Sequence, residues 1–292
     1  IQGNIRNYGT GEVRFEAPQI TPESTATKPS EVYKPGTTLD RTLEYGGKTV
    51  PIYRDRPLNV FSDVDFIWTG EENENQRRLE YLGGEFRTRY GIDVSSFQGE
   101  IDWDAVADDN IDFAMVRVGF RGTGTGSLNT DKYYEQNIRG AMRAGLETGV
   151  YFFAQAVTVE EAIEEADYVI SLLDGLDING PVAYDWEMHD STYRVYGTSP
   201  EMATACAVAF CERIKDAGYT PMVYGGTYVT YMKYDQGALA DYLSWYPEYK
   251  SEKSEKLCPT LVYHMDYWQF SSTRAVAGIN GRVDMNIQFI RR

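Results

Sequence analysis

Residues 181–187 read Pro-Val-Ala-Tyr-Asp-Trp-Glu. The period of two in a strand sends Ala183, Asp185 and Glu187 to one face and Val182, Tyr184 and Trp186 to the other. The bulky face suits packing against helices, and the face with two carboxylates suits the mouth of a barrel. Similar apolar runs, rich in β-branched and aromatic residues, recur at 90–95, 113–120, 149–155, 221–226, 242–246, 263–270 and 283–289. Helical stretches separate the early ones. Residues 132–144 stop at Gly145, 158–173 open with Thr158 as N-cap and Glu161 three residues on, and 199–217 open Ser-Pro-Glu and stop at Gly218. This alternation predicts parallel pairing and an α/β fold. With little room for helices after residue 221, the expectation is an irregular TIM-like (β/α)5(β)3 barrel over 85–292. An open doubly wound sheet is the alternative.

Upstream the texture differs. Residues 1 to about 40 are rich in Thr, Pro, Ser, Glu and Gly without a sustained period, and read as an extended tether. Gly46-Gly47 between the apolar stretches of 43–53 signals a small hairpin. Residues 71–82, closed by Gly83-Gly84, fit a short helix. Residues 1–84 hold few apolar positions, so they are expected to be a stalk or a small accessory element packed on the barrel.

The chain has 292 residues, 28 Lys+Arg and 44 Asp+Glu, hence a net charge of −16. That excludes nucleic acid as the main partner, because phosphate binding needs clustered basic residues. At 42% hydrophobic and 25% charged the composition is globular. No run approaches the length of a membrane span, and the Ile at position 1 suggests a processed start. Cys206, Cys211 and Cys258 are expected to be buried inert thiols. His189 and His264 have no metal-ligand spacing, so catalysis has to run on carboxylates.

Active sites of parallel α/β folds lie at the carboxyl ends of the strands. Besides Asp185 and Glu187, Asp93 ends the first strand and Asp284 lies in the last. Barrel closure would make those two strands neighbours and bring four acids to one cleft. Mutual repulsion and burial would then raise one pKa into the range of a general acid able to protonate a glycosidic oxygen. Phe97, Tyr151, Phe153, Tyr224, Trp245, Trp268 and Gln269 fall at or just past other strand ends and offer stacking faces and an amide to a sugar. Taken singly, each acid also suits a surface ion pair and each ring suits a core.

The ordered motifs resemble the glycoside hydrolase family 25 muramidases, also called Chalaropsis-type or cellosyl-like lysozymes. They are Gly91-Ile92-Asp93-Val94-Ser95 with Phe97-Gln98-Gly99 and Ile101-Asp102-Trp103, then 113–117, Asn137, Ala141, Gly149-Val150-Tyr151, Asp185-Trp186-Glu187, Tyr224, Trp268-Gln269 and the run from Gly281 to Asn286. The resemblance covers residues 89–292. It implies cleavage of the β-1,4 bond between N-acetylmuramic acid and N-acetylglucosamine in peptidoglycan. Glu187 would be the general acid and Asp185 would orient the 2-acetamido group, while Asp93 and Asp284 would hold the pair and the sugar. It implies no metal or organic cofactor and action on peptidoglycan glycan strands outside the cell or at the wall; a monomer is expected. One departure is Pro247, which stands where the family has Ala in the sixth strand. A chitinase-like hydrolase of family 18 is a weaker fit, because positions two and five before Asp185 are Ala183 and Gly180 rather than acids. A non-catalytic wall-binding barrel is the alternative from another class, and a mainly structural protein is a third.

Overall fold

The structure, a computed structural model, describes residues 5–7, 13–15, 26–70 and 77–292. Strands β1 (Ile5–Asn7) and β2 (Val13–Phe15) pair antiparallel. Helix α1 (Pro29–Val32) leads to a hairpin of β3 (Leu39–Tyr45) and β4 (Lys48–Tyr53). Its turn carries Gly46 at φ 57° and Gly47 at φ 74°, a pair of left-handed conformations that glycine adopts without steric cost. A second antiparallel pair joins β5 (Phe66–Thr69) to β6 (Arg78–Tyr81).

The barrel follows in the order β7 (Phe86–Val94), α2 (Trp103–Asp108), β8 (Phe113–Arg121), β9 (Leu128–Thr130), α3 (Tyr134–Arg143), β10 (Glu147–Ala154), α4 (Val159–Leu172), β11 (Val182–Trp186), α5 (Pro200–Asp216), β12 (Pro221–Tyr224), α6 (Thr227–Met232), β13 (Leu243–Pro247), β14 (Tyr267–Arg274) and β15 (Val283–Arg291). Strands β7, β8 and β10 to β14 run parallel, each to the next. Strand β15 lies antiparallel to both β14 and β7 and closes the ring. Strand β9 only folds back on β8. Five β/α units and three further strands match the expected barrel, and the open sheet is excluded.

The caps do what the chain predicts. Thr158 Oγ1 accepts from the Glu161 amide and Ser199 Oγ from the Met202 amide, while Gly145 and Gly218 leave their helices at φ 86° and 91°. Helices α2 and α6, six residues each, complete the five β/α units but are too short to show a period and have no counterpart among the three helical stretches located in the chain.

Two apolar layers share the strands. Met115, Ala183, Met222, Tyr224, Trp245 and Tyr267 pack inside the ring with Phe113. At Gly91 a Cβ would overlap the Phe113 ring, so glycine there makes room for the interior aromatic. The alternate residues, such as Val182, Tyr184 and Trp186, belong to the outer core with the helices. Cys206 and Cys211 are buried there, whereas Cys258 is only half-buried; all three are free thiols.

Two upstream expectations need correction. Residues 78–81 form strand β6 rather than the end of a helix, because Leu79 is fully buried and the four residues pair with β5; residues 71–76 lie outside the described residues. The stretch from Thr27 is docked rather than a free tether. The Thr27 amide donates to Glu160 Oε1 at 2.8 Å and the Gly36 amide to Asp235 Oδ2 at 3.0 Å. The rest of the expected tether, apart from the backbone of β1 and β2, lies outside the described residues.

The N-terminal elements share the outer core: Ile52, Phe66 and Leu79 are buried in it, and Phe61 sits 4.4 Å from the Phe289 ring. Arg56 is buried beneath them. Its guanidinium donates to Gln236 Oε1, Leu239 O and Tyr242 O at 3.1 to 3.3 Å, tying the segment between α6 and β13. Arg56→Met keeps the apolar stem but strands those acceptors. It is expected to lower unfolding stability by about 2–4 kcal/mol; a loss below about 0.5 kcal/mol in urea unfolding would show that the tie is dispensable.

Candidate active site

Closure of the ring decides where the acids meet. Asp284 on β15 is the direct antiparallel partner of Asp93 on β7, and Asp185 lies in register with Phe153 on β10 and Tyr224 on β12. A cleft of about 320 Å³ opens at the carboxyl ends of the parallel strands. It is lined by Asp93, Phe97, Tyr151, Phe153, Asp185, Glu187, Tyr224, Trp245, Gln269 and Asp284, together with Ser95, Gln98, Arg117, His189 and Tyr249. A groove of about 430 Å³ between the β3–β4 hairpin, α5 and α6 is larger. The carboxyl cluster, not volume, marks the smaller cleft as the site.

Trp268 is not part of it. The period of two turns Tyr267 and Gln269 inward and Trp268 outward, where it is fully buried, meets the Phe66 ring at 5.4 Å and donates from Nε1 to the Glu248 carbonyl. A strand-end aromatic was expected to face sugar; this one anchors the N-terminal segment.

Asp93 is 6% exposed. Its Oδ2 accepts from Gln269 Nε2 and from Asn286 Nδ2, each at 2.8 Å. Those amides are held in turn: Gln269 Oε1 accepts from the Tyr224 and Tyr249 hydroxyls, each at 3.1 Å, and Asn286 Oδ1 accepts from Trp245 Nε1 at 2.8 Å. Pro247, the departure from the family pattern, sits at the end of β13 opposite Gln269, and the following Glu248 amide still donates to the Gln269 carbonyl at 3.0 Å. The ladder survives the missing N–H.

Burial is the first cause of every carboxyl shift here. It lifts Asp93 to about 6 against the two amide hydrogen bonds, with Glu187 repulsion adding to the rise. It lifts Asp284 to about 8, helped by Asp93 and Glu187. Asp185 goes well above the usual range through burial and then Glu187 and Asp93, with Arg117 opposing. Glu187 rises by burial, restrained by His189 and by the hydrogen bond from the Asp185 carboxyl. Burial thus works against the doubly ionised state of Asp185 and Glu187. Asp185 Oδ1 is buried with no hydrogen-bond partner in the protein, an acceptor left unsatisfied.

Besides Ser95 and Gln98, four groups at or behind the cleft were not singled out from the chain as site residues. His189 Nε2 lies 3.1 Å from Glu187 Oε2. Arg117 pairs with Asp131 at 2.8 Å and places its guanidinium 5.1 Å from the Phe97 ring centre. Asn286 and Tyr249 support Asp93 as described. The period of two could have found Asn286, two residues after Asp284, and Arg117, two after Met115; Tyr249 ends the sixth-strand pattern that Trp245 opens, and His189 lies past the end of β11, where that period no longer applies. Phe97 is 84% exposed at the lip. Tyr151 meets the Trp245 ring edge-on at 5.8 Å deeper in. Among the described residues no group of three or more His, Cys, Asp or Glu is placed to hold a metal ion.

Comparison with known proteins adds an independent line. The model of glycosyl hydrolases family 25 matches residues 92–279. The autolytic lysozyme of Clostridium acetobutylicum is 25% identical over 197 residues, 67% of this chain and 54% of that protein, so the chain spans about half of that relative's length. Lysozyme M1 of Streptomyces globisporus is 27% identical, covering 67% of this chain and 66% of that one. The bacterial lysozyme from Streptomyces coelicolor superposes with a TM-score of 0.55 at 26% identity, over 68% of this chain and 90% of that one. With a family match across more than half its length and a barrel of the same kind, this chain belongs to glycosyl hydrolases family 25.

Proposed function

We propose that the protein is a peptidoglycan hydrolase of the muramidase type, cleaving the β-1,4 bond between N-acetylmuramic acid and N-acetylglucosamine. The observation that carries this is the gathering of Asp185 and Glu187 with Asp93 and Asp284 at one cleft at the carboxyl ends of the strands, where burial raises the carboxyls. Glu187, the more exposed of the two, delivers the proton to the glycosidic oxygen as its bond to the anomeric carbon breaks, and the bonding electrons leave with that oxygen. Asp185 accepts from the N–H of the 2-acetamido group and steadies the positive charge at the anomeric carbon, which water finally captures. Asp93 and Asp284 line the floor and hold the sugar by hydrogen bonds. Phe97, Tyr151, Phe153, Tyr224 and Trp245 offer ring faces and edges, and Gln269 acts by anchoring Asp93. The barrel of residues 85–292 carries the chemistry and the preceding segment braces it. The site of action is the cell wall, outside the membrane, and the protein works as a monomer.

Glu187→Gln is expected to fold normally and to lose about 10² to 10⁴ of its turnover on purified peptidoglycan; full activity in that variant overturns the assignment. Mass spectrometry of the wild-type digest is expected to find muramic acid at the new reducing ends. Reducing glucosamine would indicate a different glycosidase, and no product a binding barrel.

The pH dependence follows from the raised acids. In the folded state they keep protons that the unfolded chain releases near pH 4, so the folded state binds more protons across the window up to about 8, the value for Asp284. Stability contributed by these groups is therefore present below about pH 4 and lost as pH rises through that window. Asp284→Asn is expected to flatten the fall in melting temperature between pH 5 and pH 8. An unchanged slope would show that Asp284 ionises normally.

A further inference from the structure

Glu187 lies one residue beyond β11, past the last paired positions of the sheet: the ladder to β10 ends at Ala154 and Trp186, and that to β12 at Asp185 and Tyr224. Its backbone is nevertheless held, because the side chain of Gln155, the residue after β10, donates from Nε2 to the Glu187 carbonyl at 2.8 Å. Gln155 is itself fully buried. Its amide N–H donates to Glu165 Oε1 at 3.0 Å, and its carbonyl accepts from Arg194 Nη1 at 2.9 Å. Glu165, on α4, is fully buried and accepts from Arg121 Nε at 2.7 Å. The next residue along, Ala156, accepts from Trp186 Nε1 at 3.0 Å.

This network is poor value as a stability device. Gln155 Oε1 and Glu165 Oε2 are both buried without partners, and a half-satisfied buried polar group costs more than an apolar one in its place. What the arrangement does achieve is to continue the β10–β11 pairing by one hydrogen bond, made by a side chain. We propose that Gln155 is a positioning residue for the proton donor, fixing the Glu187 backbone so that the carboxyl meets the glycosidic oxygen, with the buried Arg121–Glu165 pair setting Gln155 in place. This rests on the reading of Glu187 as the general acid.

The test compares wild type, Gln155→Met, Gln155→Asn and Glu187→Gln. Met keeps the shape and removes the donor. Asn keeps the polarity but is one methylene too short to reach the carbonyl, and it serves if the Met variant does not fold. On solubilised peptidoglycan fragments the Gln155 variants are expected to lose about 10- to 100-fold in kcat with KM within about 2-fold. A dinitrophenyl glycoside of the same sugar departs without protonation, so the loss there is expected to shrink to a few-fold. Unchanged kcat in a folded Gln155 variant, or equal losses with both leaving groups, overturns the positioning role while the collapse of Glu187→Gln leaves the muramidase reading standing. Full turnover by Glu187→Gln on the fragments would overturn both.

Discussion

Four carboxyl groups line one cleft of about 320 Å³, where burial works against full ionisation, and the architecture around this site answers to that constraint. Burial raises all four; neutral amides hold Asp93, while Arg117 opposes the rise at Asp185 and His189 that at Glu187. Asp93 is held by two amides, and those amides by two tyrosines and a tryptophan. A lysine or arginine bonded to Asp93 would have driven the cluster toward full ionisation; amides orient the carboxyl while leaving protons available to the pair that needs one. Arg117, the one arginine lining the cleft among the described residues, is engaged by Asp131 and lies beneath Phe97.

A net charge of −16 would repel an anionic cell wall. Within the cleft burial works against full ionisation of the acids, and ring faces offer contacts that salt does not screen. Outside the cleft, the N-terminal segment buries Trp268 and Phe289 and ties down the segment between α6 and β13 through Arg56. Support for the active-site strands therefore comes from both sides, from α4 through Gln155 and from the N-terminal elements through β14 and β15.

Much of this was legible in the chain. The alternation in residues 181–187, the strand runs, the caps at Thr158 and Ser199 and the stops at Gly145 and Gly218 are local signals, and local geometry obeys them. The hairpin at Gly46-Gly47 is of the same kind. Where local reading failed, the failure was also physical. Residues 78–81 have no strong pattern of their own and become a strand because Leu79 finds a buried place beside β5. Trp268 and Gln269 are adjacent, so both looked like cleft residues until the pleat separated them.

Residue order alone therefore decided which side chains share a strand face and where helices begin and end, since both depend on spacings of two to four positions. Only folding decided that Asp284 lies across from Asp93, that His189 reaches Glu187, and that Gln155 completes a pairing the strands leave unfinished. The first and the last join separate strands, and the meeting of Asp284 with Asp93 exists only because an antiparallel last strand closes the barrel.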